Sequence, residues 1–381
     1  MRRRELRQSL VTAPLPDELG ALRRTWPVVR AAFKAREPVR RRLDLRPALV
    51  LAVVAAGVAA ALSSPGEAVI ERVRKAIGIE RAKPMLFSLP APGRVLVDST
   101  RGVWVVRQDG SKRLLGRYRE SAWSPSGLYV AVARGNELVA LDPRGGLRWT
   151  LSRRAVGSPR WTGTAADTRI AYFSAGDLRV VAGDSDPDWL VARRPRRVPP
   201  AWRPGARHVL AYVASGGRIV VRDVDARRTL WRTRSAEAAR RLLWSGDAKR
   251  LVVVRRRGLS AYNGNGRGVH GRSFPGTLGA AAFAPGTHRL AVVHRLRDRS
   301  EVLIVDADRL GRPRRVFSGT GVFTDLAWSP DGRWLLVGWP TADQWVFLRV
   351  RGTRRIEGVS NVTAQFRAQR FPRVAGWCCA R

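Results

Sequence analysis

From residue 94 to residue 379 short apolar runs alternate with turn clusters, a pattern that reads as strands and tight turns rather than helices. One series of runs covers residues 103–106, 138–141, 178–181, 219–221, 259–262, 302–305 and 346–350, each followed closely by Gly, Asp, Asn or Pro. A second series is anchored on an aromatic residue. Ala122-Trp123-Ser124-Pro125-Ser126-Gly127 and Ala327-Trp328-Ser329-Pro330-Asp331-Gly332 are nearly one hexapeptide, with weaker copies at Trp161, Trp202-Arg203-Pro204-Gly205, Trp244-Ser245-Gly246-Asp247 and Phe283-Ala284-Pro285-Gly286. In the copy at Trp328, Pro330 presets φ, Asp331-Gly332 suit a left-handed turn and residues 334–337 continue as a strand. The anchors stand 38, 41, 42, 39 and 45 residues apart, which is the period of a repeat architecture.

The first series has seven members and the second only six up to residue 330, so one unit lacks its first strand. Arg373-Val374-Ala375-Gly376-Trp377 has the aromatic without the turn, because the chain ends there. Pairing it with residues 94–116 completes the first unit and joins the ends of a ring, which removes exposed sheet edges. The expectation is an all-β domain over residues 94–381 with seven units, or six if one degenerate copy fails.

The N-terminal quarter is different. Residues 1–46 hold 13 basic and 5 acidic residues, and Leu19, Leu22, Trp26, Val29 and Phe33 follow the spacing of one helical face, interrupted at Pro27. This stripe reads either as a docking face for a cytoplasmic protein or as an amphipathic segment lying on an anionic leaflet. Residues 47–66 carry no charge, and at about 1.5 Å per residue they are long enough to cross a bilayer. A charged region of 46 residues ahead of the apolar run is too long for a cleaved signal, so the segment reads as an anchor. Arg40, Arg41, Arg42 and Arg46 on its N-terminal side predict a cytoplasmic N-terminus and a translocated C-terminal domain. Residues 67–93 read as a stalk helix ending at Gly78, then a Pro-rich linker.

Composition adds charge. The chain has 71 basic and 30 acidic residues, a net of +41, which suggests an anionic partner. Only five of the basic residues are Lys, a skew that also fits GC-rich coding bias. If the units are four-stranded meanders, one end collects Arg193, Arg194, Arg196, Arg197, Arg255, Arg256, Arg257, Arg295, Arg297 and Arg299, while the Ser-Pro-Asp-Gly turns lie at the other. These ten form a candidate face for an anionic wall polymer, lipid headgroup or acidic protein. The alternative is solvated loops.

Catalytic chemistry is sparse. No G-x-S-x-G elbow, phosphate-binding Gly-rich loop or HExxH helix is present. His288 and His294 lie about 20 Å apart on an extended strand, too far to share a metal, and read as surface or hairpin residues. Asp184-Ser185-Asp186-Pro187-Asp188 alternates like a calcium loop but has Trp189 where Gly is required, so an acidic hairpin is preferred. Residues 264–268 read as a flexible turn. Cys378 and Cys379 are adjacent and point to opposite faces of a strand, which favours two packed thiols over a disulfide. No cofactor, metal or catalytic residue is assigned.

The Trp-Ser-Pro-Asp-Gly copies resemble the repeats of TolB-like and related WD-type β-propellers, over residues 94–379. That resemblance implies four-stranded blades around a channel, seven here with six as the fallback, closed by the C-terminal strand. In that family the motif is structural: the aromatic packs between blades and the turn shapes the first hairpin. Residues 138–142 with Gly145, Gly146 and Trp149, and residues 219–223 with Trp231, are similar to quinoprotein-type blades. In quinone-binding members a vicinal cysteine pair covers the cofactor, but here the pair ends the closing strand.

The function expected from the sequence is a non-enzymatic, membrane-anchored propeller outside the cytoplasmic membrane, binding or sensing an envelope polymer or protein and reporting to a cytoplasmic partner. A hydrolase, a quinone-dependent dehydrogenase or an envelope scaffold are the alternatives. The anchor puts the basic domain on the wrong side for nucleic acid, which is not expected as a partner.

Overall fold

A computed structural model describes residues 88–379 except 206 and 235. The expected amphipathic stripe from Leu19 to Phe33, the apolar segment 47–66 and the stalk lie outside the described residues. No helix among the described residues is long and apolar enough to cross a membrane.

The described chain folds as seven four-stranded antiparallel sheets. The strands of each sheet are called A to D from the innermost outward. Blade 2 is β4 (Glu120–Trp123), β5 (Val130–Arg134), β6 (Glu137–Leu141) and β7 (Leu147–Ser152). Blade 3 is β8 (Gly157–Gly163), β9 (Thr168–Ser174), β10 (Asp177–Ala182) and β11 (Asp188–Ala192). Blade 4 is β12 (Ala201–Trp202), β13 (Val209–Val213), β14 (Ile219–Asp223) and β15 (Arg228–Arg232). Blade 5 is β16 (Arg241–Trp244), β17 (Arg250–Val254), β18 (Gly258–Asn263) and β19 (Gly268–Ser273). Blade 6 is β20 (Thr277–Phe283), β21 (Arg289–Arg295), β22 (Arg299–Asp306) and β23 (Arg314–Thr320). Blade 7 is β24 (Asp325–Trp328), β25 (Trp334–Trp339), β26 (Gln344–Arg349) and β27 (Ile356–Ser360), followed by a short helix, α1 (Val362–Gln365).

Blade 1 takes strands B to D from β1 (Arg94–Ser99), β2 (Gly102–Val106) and β3 (Lys112–Gly116), and strand A from β28 (Arg373–Cys378). Leu96 faces Gly376 and Val95 faces Trp377 in that pairing, so the last strand closes the ring. The molecule is a seven-bladed β-propeller, and the six-bladed alternative is set aside because even the two-residue β12 pairs with β13. The folded body begins a little before Arg94: Leu89 and Ala91 are buried in the cluster between blades 7 and 1.

The repeated turn has a mechanical explanation. In three copies the Ser hydroxyl accepts a backbone N–H five residues on: Tyr129 N to Ser124 at 3.0 Å, Arg250 N to Ser245 at 2.9 Å and Trp334 N to Ser329 at 2.9 Å. The Ser245 and Ser329 hydroxyls donate in turn to Asp247 and Asp331, both at 2.5 Å. All three hydroxyls are buried, so this pairing stops a polar group from being stranded in the interior. Gly127, Gly286 and Gly332 take the left-handed position of their turns, which the copy at Trp244 fills with Ala248 at φ 61°.

Seven apolar clusters are found among the described residues, one at each blade–blade contact, and every anchor turns toward the preceding blade. Trp202 Nε1 donates to the Arg160 carbonyl at 2.8 Å and Trp328 Nε1 to that of Ala282 at 3.0 Å. Trp123 and Trp244 instead receive the guanidinium of Arg94 and Arg203, each 5.1 Å from the ring centre. Trp161 stacks on Tyr129, Trp377 meets Phe347 edge-on, and Phe283 packs in the cluster between blades 5 and 6. A second staple runs the other way from strand D: Trp149 Nε1 reaches Gly183 O at 2.7 Å and Trp231 Nε1 reaches Gly264 O at 2.9 Å in the next blade. The 264–268 segment, expected as a flexible turn, therefore carries an anchoring carbonyl.

Two expectations are corrected. Cys378 and Cys379 are joined as a disulfide rather than left as thiols. Cys379 leaves the strand at φ 60°, so the alternation that would point neighbouring side chains apart ends at Cys378. His294 is buried rather than superficial, with Nδ1 3.4 Å from Glu301 and Nε2 against the Pro275 carbonyl.

Candidate functional site

The meander gives the ring two unlike ends. The A–B and C–D turns share one end, and the B–C and D–A connections share the other. In the described loops the turn end holds 13 basic and 9 acidic residues, and the opposite rim holds 18 basic and 3 acidic.

All ten expected arginines belong to that rim. Arg193, Arg194, Arg196 and Arg197 lie in the connection from blade 3 to blade 4, Arg255 to Arg257 in the B–C loop of blade 5, and Arg295, Arg297 and Arg299 at the B–C loop of blade 6. Eight are exposed; Arg255 and Arg295 are half-buried, and Arg295 donates to the Phe323 carbonyl at 2.9 Å. Of the ten guanidinium groups, that of Arg299 alone forms an ion pair among the described residues, 3.6 Å from Glu301 and 3.9 Å from Asp298, while the Arg194 backbone N–H donates to Asp177 at 2.9 Å. The ten thus spread along an arc over blades 3 to 6 rather than forming one pocket.

The charged groups that do converge were not singled out from the sequence. Glu120, Arg241, Asp325 and Arg373 each begin an A strand, on the arginine rim's side of the ring, and Arg160 stands in the middle of β8. Arg373 pairs with the buried Asp98, which also accepts the Ser121 hydroxyl. Glu120 accepts the Ser158 backbone N–H. Asp325 accepts from Thr324 Oγ1 at 2.8 Å and from the Val374 backbone N–H. Burial raises the Asp98 carboxyl against the pull of Arg373, and burial likewise raises Asp325. Burial, then Arg373, lowers the Arg160 guanidinium to about 10, while burial and the nearby Arg373 and Arg295 lower Arg241 against the pull of Asp325. A signal was present: Glu120, Arg241 and Asp325 each stand three residues before an anchor Trp, where the inner strand begins.

The turn end uses its charges structurally. Asp188, expected within an acidic hairpin, is held by Arg153, Arg179 and Tyr172, so its carboxylate is committed to the blade and not to calcium. His208 is buried and pairs with Asp225 across from Trp202. His288 lies 3.5 Å from Asp247, 3.4 Å from Asp306 and 3.7 Å from Asp308, and Arg250 reaches Asp308 at 2.9 Å. His288, Asp306 and Asp308 have the spacing of a metal ligand set, but Arg250 already supplies a cation there. Cys378 and Cys379 also pack at this end, against the Ser124 and Pro125 carbonyls and away from the converging charges.

No family model and no curated protein sequence matches the chain. Solved structures do. A putative 6-phosphogluconolactonase from Bacteroides fragilis superposes with a TM-score of 0.53 at 13% identity, covering 76% of this chain and 98% of that one. A chain of a mitotic checkpoint complex gives 0.53 at 15%, covering 72% and 94%. The Cps50 (Swd1) β-propeller domain of Myceliophteria thermophila gives 0.50 at 12%, covering 64% and 85%. Their names span enzymes and assemblies, and at these identities the likeness is one of fold.

Proposed function

We propose that this protein is a membrane-anchored propeller with TolB-like turns that acts as a non-enzymatic binding or sensing module, its arginine rim docking an anionic envelope polymer or acidic protein. In this reading residues 47–66 form the single-pass anchor, the N-terminus is cytoplasmic, and the stripe from Leu19 to Phe33 is available to a cytoplasmic partner. The observation that carries it is the charge difference between the two ends: 18 basic against 3 acidic residues in the rim loops, most of them exposed. A surface of that kind attracts polyanions over the range of the Debye length and loses them as salt rises. The enzyme alternative would draw on Asp98, Glu120 and Asp325, and each of these is already engaged by neighbouring donors.

Two measurements test the reading. Retention of the full-length chain in detergent on immobilised poly-L-glutamate is expected to fall steeply with salt, and retention that ignores salt would sink the rim's role. Protease treatment of wall-stripped cells carrying tags at both ends is expected to remove the C-terminal tag and spare the N-terminal one. The reverse pattern would place the basic rim in the cytoplasm and make nucleic acid the first partner to test.

A further inference from the structure

At the turn end a cleft of about 540 Å³ opens between blades 2 and 3, a size within the range that takes small organic ligands. One wall is aromatic. Tyr129, from the A–B turn of blade 2, and Trp161 of β8 lie nearly parallel, with 18° between their planes and 6.1 Å between ring centres. Trp149 of β7 extends the lining, and its Nε1 donates to the Gly183 carbonyl at 2.7 Å, which ties the C–D turn of blade 3 to blade 2. All three rings are half-buried, so each is gripped by the fold and still offers surface to the cleft.

The lip carries charges of both signs. Asp184 and Asp186 are exposed on the C–D turn of blade 3 and, unlike Asp188 and Asp225, form no ion pair among the described residues; the Asp186 backbone N–H donates to Asp184 Oδ1 at 3.4 Å. Arg148 supplies donors from blade 2: it lies 3.3 Å from Asp142, its guanidinium stands 5.8 Å from the centre of the Tyr129 ring, and the side chain is exposed. Arg169 is spent on Asp167 and Asp225. The neighbouring cleft between blades 1 and 2 is lined by four arginines and no aromatic ring, so the aromatic wall is not a general property of these clefts.

The combination selects by exclusion. A cation entering here meets Arg148 and Arg169, and an anion meets Asp184 and Asp186. A hydrocarbon would satisfy the rings but strip water from the charged lip. The remaining fit is a neutral molecule with a flat apolar face for the aromatic wall and hydroxyls that both donate to carboxylates and accept from a guanidinium. A pyranose ring has both features.

We propose that the cleft between blades 2 and 3 binds a neutral pyranose sugar, its face on Tyr129 and Trp161 and its hydroxyls shared among Asp184, Asp186 and Arg148. The sugar is either free or one unit of a glycan, since both present the same ring. The site lies at the opposite end of the propeller from the arginine rim and stands whether or not the rim docks a polyanion.

The test is calorimetric titration of cellotetraose, maltotetraose, chitotetraose and mannotetraose into the full-length chain, held in a detergent without a sugar headgroup. Saturable binding of at least one is expected. Tyr129→Ala is expected to weaken it about tenfold by removing a stacking face, and Asp184→Asn with Asp186→Asn at least tenfold by weakening charge-assisted hydrogen bonds. Ala166→Trp, at an exposed position of the lip, is expected to abolish binding by filling the cleft without removing any of its contacts. The aspartate and Ala166 changes are on the surface and are expected to leave the melting temperature unchanged, so they decide the matter even if Tyr129→Ala impairs folding. Equal affinity for the corresponding monosaccharide would identify a free sugar, and tighter binding of the tetrasaccharide a glycan chain. Absence of saturable binding by all four, binding that ignores both the aspartate pair and Ala166→Trp, or tighter binding of tetramethylammonium or malonate than of any sugar would overturn the proposal.

Discussion

The two ends of this ring are built from the same repeat and use charge in opposite ways. At the turn end carboxylates are construction material: Asp247 and Asp331 receive serine hydroxyls, Asp188 ties two strands through Arg153 and Arg179, and Asp225 holds the buried His208. At the other rim the arginines outnumber carboxylates six to one and, apart from that of Arg299, no guanidinium of the ten singled out forms an ion pair among the described residues. A charge with a fixed partner stabilises a turn and is silent to solvent, whereas one without a partner contributes little to stability and remains open to a ligand. Disturbing the first end is therefore expected to change the fold, and disturbing the second to change binding.

The largest expected effect lies on the structural side. Trp328→Ala removes a buried indole and its bond to Ala282, and a cost of about 3–5 kcal/mol is expected in denaturant unfolding, with polyanion retention intact wherever the protein is still folded. The converse change, Arg255, Arg256 and Arg257 all to Gln, is expected to cut poly-L-glutamate affinity about tenfold while moving stability by less than about 0.5 kcal/mol. Equal losses of stability in the two variants would erase the distinction between the ends. A smaller effect is expected from Ala248→Gly, which restores the residue that the turn geometry favours; a gain of roughly 0.5–1 kcal/mol in unfolding free energy would confirm that this copy carries strain.

The smallest is a change in slope. Because burial raises the Asp325 carboxyl, the folded protein keeps that proton at pH values where the unfolded chain has released it. This contribution to stability is complete below about pH 4, the unfolded carboxyl's value, and is lost as pH rises through the folded one. Asp325→Asn, which retains an acceptor for the Val374 N–H, is expected to flatten the stability profile above about pH 4. An unchanged profile in thermal melts across pH would show that Asp325 sits charged at the start of β24 without penalty.

The sequence made the architecture legible because the strong turns write their hydrogen bonds into side chains. Ser124 and Ser329 are needed to close their turns, so they stand beside Trp in recognisable order. Even the weak copy at Trp202 was countable, because the spacing between anchors survives when the serine does not. The closing strand was readable from Trp377 and from the arithmetic of a missing partner. The charges of the inner strands were not, because they depend on which strands meet at ring closure: Asp98 and its partner Arg373 are 275 residues apart in the chain. The cysteine pair was misread for a related reason, since strand alternation was extended one residue past the point where the backbone turns at Cys379.

Ring closure by β28 also sets an order in time. The open edge of β1 has to wait for a partner some 280 residues downstream, the longest-range pairing in the sheet set and the one with the greatest entropy of loop closure. Blades 2 to 7 each take all four strands from consecutive stretches of chain, but blade 1 stays three-stranded with an unprotected edge until β28 is available to it. Delivery of β28 is thus the step at which an open arc becomes a closed ring, and a chain cut short before Arg373 would leave its first edge free to pair with a neighbour.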